Sequence, residues 1–104
     1  MINLGILPIP NQSLSAVLDG IRYEVTLKET GGVMSASILK DDVLVLDNIR
    51  IVAGTPFIPY FYLESGNFFI LTENEDMPDY TKFGSSQSLI YLTMAEIEAI
   101  NAGT

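Results

Sequence analysis

The sequence predicts an all-β fold, a small β-barrel or sandwich of seven to eight short strands with one C-terminal helix. Apolar and polar residues alternate over residues 21–28, as in a strand with one buried face. Residues 43–59 hold the longest β-favouring apolar run, rich in Val and Ile. Turn-forming pairs such as Asp19-Gly20 and Gly31-Gly32 separate these runs. We expect a single domain over residues 1–104.

The first predicted element is a short apolar segment over residues 2–9. Pro8 and Pro10 interrupt it, which is typical of an edge strand or an extended arm, so residues 1–10 are a possible arm. Packing on its own domain is favoured over packing on a neighbouring subunit. If the segment makes contacts with other proteins, we expect that removing residues 2–10 abolishes assembly with them while leaving the isolated domain folded.

The next two strands form the clearest predicted hairpin. Residues 12–18 place Leu14, Ala16 and Leu18 on one face, and residues 21–28 alternate in the same way. Asp19-Gly20 between them favours a type I′ turn, in which both central residues need positive φ.

The middle of the chain is expected to continue the sheet. Gly31-Gly32 marks a turn before a strand over residues 34–39, and a charged turn then leads to residues 43–59. We expect that run to be the core strand around which the fold is organised. Gly54-Thr55-Pro56 would end it, because Pro has no N–H for a central ladder.

The C-terminal half alternates strands with irregular segments. Strands are predicted near residues 57–63, 68–72 and 89–92, with a long loop over residues 73–84. Thr93-Met94-Ala95-Glu96 is a capping box, so a helix is expected over residues 93–101, covering an open end of the sheets. Its apolar face would contain Met94, Ile97 and Ile100.

Composition excludes several function classes. The formal net charge of −8 can serve solubility or docking onto a basic partner. It disfavours binding to nucleic acid and to acidic membranes, which would repel the chain. No Cys or His is present, which removes the usual zinc ligands and thiol or Ser–His nucleophiles. Neither a signal peptide nor a membrane-spanning run is expected. We predict a protein that is not an enzyme and that has no cofactor or metal.

Two stretches could carry another function. The acidic loop from Glu73 to Asp79 can be interpreted as a solvated loop, a partner-docking loop or a Ca²⁺ site, although its spacing does not match an EF-hand. A pair of its carboxylates could in principle serve a hydrolase. The aromatic residues of the stretch 57–69 could bind an oligosaccharide or oligonucleotide in a small β-barrel module, or could pack in the core.

Four collinear segments resemble the small baseplate plug proteins of contractile-tailed bacteriophages. They are Pro10-Asn11-Gln12-Ser13-Leu14, Leu18-Asp19-Gly20-Ile21-Arg22-Tyr23, the segment from Asn48 to Pro56, and Asp79-Tyr80-Thr81-Lys82-Phe83-Gly84 leading to Leu89-Ile90-Tyr91-Leu92. At Gln87-Ser88-Leu89 the chain departs from similar proteins, which tend to carry a basic residue in the last strand.

The resemblance implies a structural virion protein at the centre of the tail baseplate, made in the host bacterial cytoplasm. It would plug or organise the junction of tube and hub through contacts with hub, tube and spike proteins. Several copies in a three- or six-fold arrangement are implied. The contact segments are predicted to be residues 2–10 and 73–84. The predicted interface residues are Ile2, Leu4, Ile6, Leu7, Ile9, Glu73, Glu75, Asp76, Asp79 and Tyr80.

Overall fold

Seven strands form two antiparallel sheets in the computed structural model, which describes residues 2–54, 56–58, 66–73 and 76–102. The strands are β1 (Ile2–Leu4), β2 (Gln12–Leu18), β3 (Ile21–Thr30), β4 (Val33–Lys40), β5 (Val43–Arg50), β6 (Asn67–Leu71) and β7 (Ser88–Leu92). A 3₁₀ turn (Tyr80–Lys82) precedes β7, and helix α1 (Met94–Ala102) follows it. The all-β prediction with a C-terminal helix is confirmed. The sheets do not close on each other, so the fold is a sandwich rather than a barrel.

The four-stranded sheet has the order β2-β3-β4-β5, in which each strand pairs with the next along the chain. The predicted hairpin is confirmed: Leu18 pairs with Ile21, and Asp19 and Gly20 have φ of 53° and 74°. Two aspartates make the β4–β5 turn, with φ of 49° at Asp41 and 66° at Asp42. Asp tolerates this left-handed region because its short side chain can bond nearby backbone groups.

The three-stranded sheet has the order β1-β7-β6. The first and last strands of the chain thus pair directly, with Leu4 opposite Leu89. Leu4 and Ile6 are buried in the core of the same chain. The N-terminal segment is therefore an edge strand on its own fold. Its removal would take away core side chains, so the expectation that the domain folds without residues 2–10 no longer holds.

Side chains from both sheets meet in one core. The ring of Tyr23 on β3 lies 5.2 Å from the ring of Phe68 on β6, in an edge-to-face arrangement. The ring of Tyr91 on β7 lies 5.0 Å from that of Phe68 and 5.7 Å from that of Tyr23. Such edge-to-face pairs stabilise a core beyond the burial of their area.

The run over residues 43–59 is not the central core strand that the sequence predicted. Strand β5 lies at the edge of its sheet, and Val43 and Leu44 are exposed while Leu46 is buried. A bulge at Asp47 and Asn48 interrupts its pairing with β4, and Asn48 has a φ of 51°. An apolar β-branched run does not distinguish a central from an edge strand, because both share the same local pattern.

The C-terminal helix begins with the predicted capping box. The Glu96 amide donates to Thr93 Oγ1 at 3.2 Å, and the Thr93 amide donates to Glu96 Oε1 at 3.1 Å. Met94 and Ile97 are half-buried, whereas the side chain of Ile100 is outside the described part. Whether the helix covers an end of the sheets stays a prediction. No helix within the described ranges has the length and apolar character needed to cross a membrane.

Candidate protein contact surface

The two segments predicted to make contacts lie side by side. Strand β1 runs along β7, and the acidic loop leads through the 3₁₀ turn to β7. Beyond β1, the chain passes the turn at Gly84, where an added Cβ would lie 2.8 Å from the carbonyl oxygen of Ile6. We call the exposed side chains of residues 2–10, 73 and 76–84 the arm–loop surface. The fold brings together two stretches that are about 70 residues apart along the chain, because β1 and β7 pair.

Within the arm, alternate apolar residues have different environments. Leu4 and Ile6 are buried, whereas Ile2 and Ile9 are partly exposed and Leu7 is 61% exposed. The side chain of Gln12 holds Leu7 in place, because its Oε1 accepts from the Leu7 amide at 2.9 Å and its Nε2 donates to the Leu7 carbonyl at 2.7 Å. An amide side chain can replace both partners of a backbone pair in this way. The arm is thus held with Leu7 toward solvent.

A buried amide holds the acidic loop in a similar way. Gln87 is fully buried, and its Oε1 accepts from the Asp79 amide at 2.8 Å. Its Nε2 donates to the Met77 carbonyl at 3.0 Å. Pro78 between them is buried, but the Met77 side chain is 59% exposed. The loop therefore exposes the Met77 side chain to solvent, while hydrogen bonds to the buried Gln87 fix its backbone.

Asp79 has a structural role inside the loop. It caps the 3₁₀ turn, because its Oδ1 accepts from the Thr81 amide at 3.0 Å and from the Thr81 hydroxyl at 2.9 Å. Hydrogen bonds from the Thr81 amide and hydroxyl hold the pKa of Asp79 below its usual value, and the charge of Lys82 adds to this. Asp79 is therefore ionised at neutral pH and fixed in the turn.

The other acidic residues of the loop are more available. Glu73 and Asp76 are exposed, and Asp76 Oδ2 lies 3.6 Å from Lys82 Nζ in a solvent-accessible ion pair. Such pairs contribute little to stability, so the charges remain available to a partner. Tyr80 is half-buried and packs against the core, while Glu75 lies outside the described residues.

Two open grooves flank the loop, and both are walled by Met77 and Pro78. One, of about 570 Å³, runs between the loop and the end of β5, where Val52 and Leu71 add exposed apolar surface. The other, of about 460 Å³, has Met34 and Glu29 on its far side. Met77 and Pro78 therefore lie between the two grooves.

The whole arm, both sheets and the loop fall within one family match. The family model described as Cyanophage baseplate Pam3 plug gp18 matches residues 1–95 of the 104 residues. The chain belongs to this baseplate plug family. A comparison with curated proteins finds no match. The resemblance inferred from the four segments is confirmed, and the family indicates a structural component of the phage tail baseplate.

Gln87 is the first residue of the stretch 87–89, where the chain of this plug-family protein departs from similar proteins. Position 87 is fully buried, and its neutral amide satisfies two backbone groups of the loop. A basic side chain at such a depth would have to be paired or neutralised. The loop is thus held by neutral hydrogen bonds.

The alternative sites predicted from sequence are not assembled among the described residues. Phe57 and Phe68 are buried in the core with their ring centroids 6.3 Å apart, and Phe69 is half-buried. Tyr60, Phe61 and Tyr62 lie outside the described residues. In the ranges that the structure describes, no group of three or more acidic residues is placed to hold a metal ion.

Sequence reasoning missed the polar residues that fix this plug-family fold. The Tyr91 hydroxyl donates to Asp19 Oδ2 at 2.8 Å and accepts from the Gly66 amide at 3.1 Å, which joins the two sheets. Burial raises the pKa of Tyr91 above its ordinary range, and the Asp19 hydrogen bond raises it further. No local pattern marks such residues, because their partners are distant along the chain.

Proposed function

We propose that this protein plugs or organises the junction between the tail tube and the hub–spike assembly of a phage baseplate. The observation that carries the proposal is the family match over residues 1–95. The protein would be made in the host bacterial cytoplasm and incorporated into the virion tail. Its partners would be other tail proteins, namely hub, tube and spike, with several copies in a three- or six-fold arrangement. Neither nucleic acid nor a membrane is a partner in this proposal.

The arm–loop surface is the proposed contact with those partners. Ile2, Leu7 and Ile9 offer exposed apolar side chains, and Met77 adds one from the loop. Burial of apolar surface is the dominant favourable contribution in most protein–protein association. Leu4 and Ile6 support this surface from the core.

Charge defines the chemistry of the partner. Glu73 and Asp76 lie on the exposed loop of a chain with a net charge of −8. A partner with an apolar pocket and Lys or Arg at its rim would complement this surface in shape and in potential. The role requires no catalysis, in keeping with a chain that has no Cys or His.

The test is incorporation into virions. A phage that lacks its plug gene is complemented with the wild-type gene or with a Leu7→Ser and Ile9→Ser double variant. Both side chains are exposed, so the isolated variant should fold as the wild type does. We expect its incorporation into purified virions to fall at least about tenfold, as for the loss of two interface anchors.

A matched control changes exposed apolar residues elsewhere. Val43→Ser with Leu44→Ser alters the edge of the other sheet at similar exposure. This control should incorporate like the wild type. Wild-type incorporation of the arm variant would refute the arm–loop surface as the contact. Normal virions in the absence of any plug protein would refute the function itself.

A further inference from the structure

The four sheet edges of this sandwich differ in how they are protected. Strand β1 has only three residues. Gly54 and Phe57 cover β6, since their amides donate to the Ile70 and Phe68 carbonyls at 3.0 and 2.9 Å. Strand β5 has a bulge and carries Asp47. Short edges, covers, bulges and charges all prevent pairing with another chain.

Among the residues that the structure describes, strand β2 has none of these protections. It has seven residues, pairs with β3 without a register shift, and contains no charged residue and no Pro. In an antiparallel edge strand, alternate residues direct both the N–H and the C=O away from the sheet. Within the described ranges, no backbone hydrogen bond other than those to β3 involves residues 13–18. A regular row of peptide groups is therefore open for strand addition.

We propose that β2 of a second copy of this chain pairs with it, antiparallel and centred on Ser15. In this register Leu14 lies opposite Ala16 of the second copy, and Ser13 lies opposite Val17. Leu14 and Ala16 are half-buried on the core face, whereas Ser13, Ser15 and Val17 are exposed on the outer face. Core-face residues thus lie opposite core-face residues, and outer-face residues lie opposite outer-face residues, because the alternation of the strand is symmetric about Ser15.

The charges also permit this pairing in spite of the net charge of −8. The nearest acidic residue on the outer face is Glu24, which lies opposite Ser15 on β3. Across the proposed pair, the two Glu24 residues are three strand spacings apart, or about 14 Å. That distance exceeds the Debye length of about 8 Å at physiological salt, so their repulsion is largely screened.

The resulting assembly is a closed dimer with one continuous eight-stranded sheet. Both copies use the same strand, so the contact is isologous and ends at two subunits. Pairing would also cover Val17, whose side chain is 71% exposed. The arm–loop surface belongs mainly to the other sheet and stays free. Pairing through β2 is therefore compatible with the arm–loop surface but does not depend on it.

The first test uses charge at the centre of the pair. Ser15→Lys and Ser15→Glu each place two like charges directly opposite each other, which destabilises cross-strand pairs. In sedimentation equilibrium we expect a wild-type dimer and at least about a tenfold higher dissociation constant for each variant. An equimolar mixture of the two variants should form heterodimers again. Ser85→Lys, in an exposed loop, is the matched control and should dimerise as the wild type does.

The second test uses the absence of Cys from the chain. Ser15→Cys would place two thiols opposite each other at the centre of the pair, within reach of a disulfide. We expect rapid cross-linking into dimers under mild oxidation, and slow cross-linking for Ser85→Cys. A wild-type protein that is monomeric up to about 1 mM would overturn the proposal. Equal cross-linking of the two Cys variants, or a dimer unaffected by both charges at Ser15, would overturn it as well.

Discussion

The two sheets of this plug-family protein are held together in different ways. In the four-stranded sheet, strands β2 to β5 follow one another through two-residue turns, such as Asp19-Gly20, and pair with their neighbours along the chain. In the three-stranded sheet, β1, β6 and β7 are three to five residues long, and irregular segments adjoin them, such as residues 5–11 after β1 and 76–87 before β7. Those segments are held by amide side chains, most of all Gln87 and Asn67.

Asn67 shows how this second mode works. Its Oδ1 accepts from the Ile58 amide at 2.9 Å, and its Nδ2 donates to the Ile58 carbonyl at 2.9 Å. Gln12 holds Leu7 and Gln87 holds the acidic loop in the same manner. Buried peptide groups must find partners, and where no strand is adjacent a side chain supplies them. The irregular segments are thereby ordered, and they carry the proposed contacts.

The two sheets should differ most in how much stability they lose when a glycine is replaced by alanine. An added Cβ at Gly66 would collide with the Leu92 carbonyl oxygen and with the ring of Tyr91. Gly66→Ala should therefore lower the free energy of unfolding by about 3 kcal/mol or more, as for overpacking against atoms that cannot move. Urea unfolding followed by circular dichroism measures this change.

Gly20→Ala is the matched change in the four-stranded sheet. A Cβ there meets open space, and only its φ of 74° is unfavourable for Ala. The cost should be about 1 to 2 kcal/mol, that of left-handed backbone. If Gly66→Ala lowered the free energy of unfolding no more than Gly20→Ala does, close packing around Gly66 would not contribute to the stability of the three-stranded sheet.

Gln87→Leu is expected to have the next largest effect. It leaves the Asp79 amide and the Met77 carbonyl without their partner in a partly buried place. The free energy of unfolding should fall by about 2 kcal/mol, the typical cost of unsatisfied buried groups. Hydrogen exchange of the Asp79 amide should become much faster.

Gln12→Leu is the control for Gln87→Leu, since it removes the same kind of pairing at an exposed position. Water can replace the lost partner there, so the loss should stay below about 1 kcal/mol. Equal losses for the two variants would show that burial does not decide the effect.

The smallest expected effect concerns pH and Asp79. The Thr81 amide and hydroxyl hold its folded-state pKa below the ordinary value of 3.8. Its contribution to stability is therefore complete above that value and is lost as the pH falls through the folded pKa. Asp79→Asn should lower the urea midpoint slightly at pH 7, by less than Gln87→Leu does.

The decisive comparison is made in acid. The difference in midpoint between the wild type and Asp79→Asn should shrink as the pH falls below 3.8. Asp76→Asn removes an equal charge from an exposed ion pair and serves as the control. A difference for Asp79→Asn that is constant from pH 7 to strongly acidic pH would contradict the role of its ionised carboxylate.

Local sequence patterns predicted the parts of this fold that depend on neighbouring residues. The Asp19-Gly20 hairpin follows from backbone preference, the inward face of β3 from alternation, and the start of α1 from a capping box. The edge position of β5 did not follow, because exposure of Val43 and Leu44 depends on which strands lie beside them. Within the candidate site, the two segments were predicted but their adjacency was not.

The sequence by itself determined the runs that form β2 to β7, the tight turns, the capped helix and the baseplate plug family, whereas the strand predicted near residues 57–63 lies mostly outside the described residues. Each of these depends on residues that are close together along the chain or on their order in it. Only the tertiary structure decided that β1 pairs with β7, that Tyr91 bonds to Asp19, and that Gln87 fixes the acidic loop. Such contacts form between residues far apart in sequence, where burial and the need to satisfy polar groups select the partner.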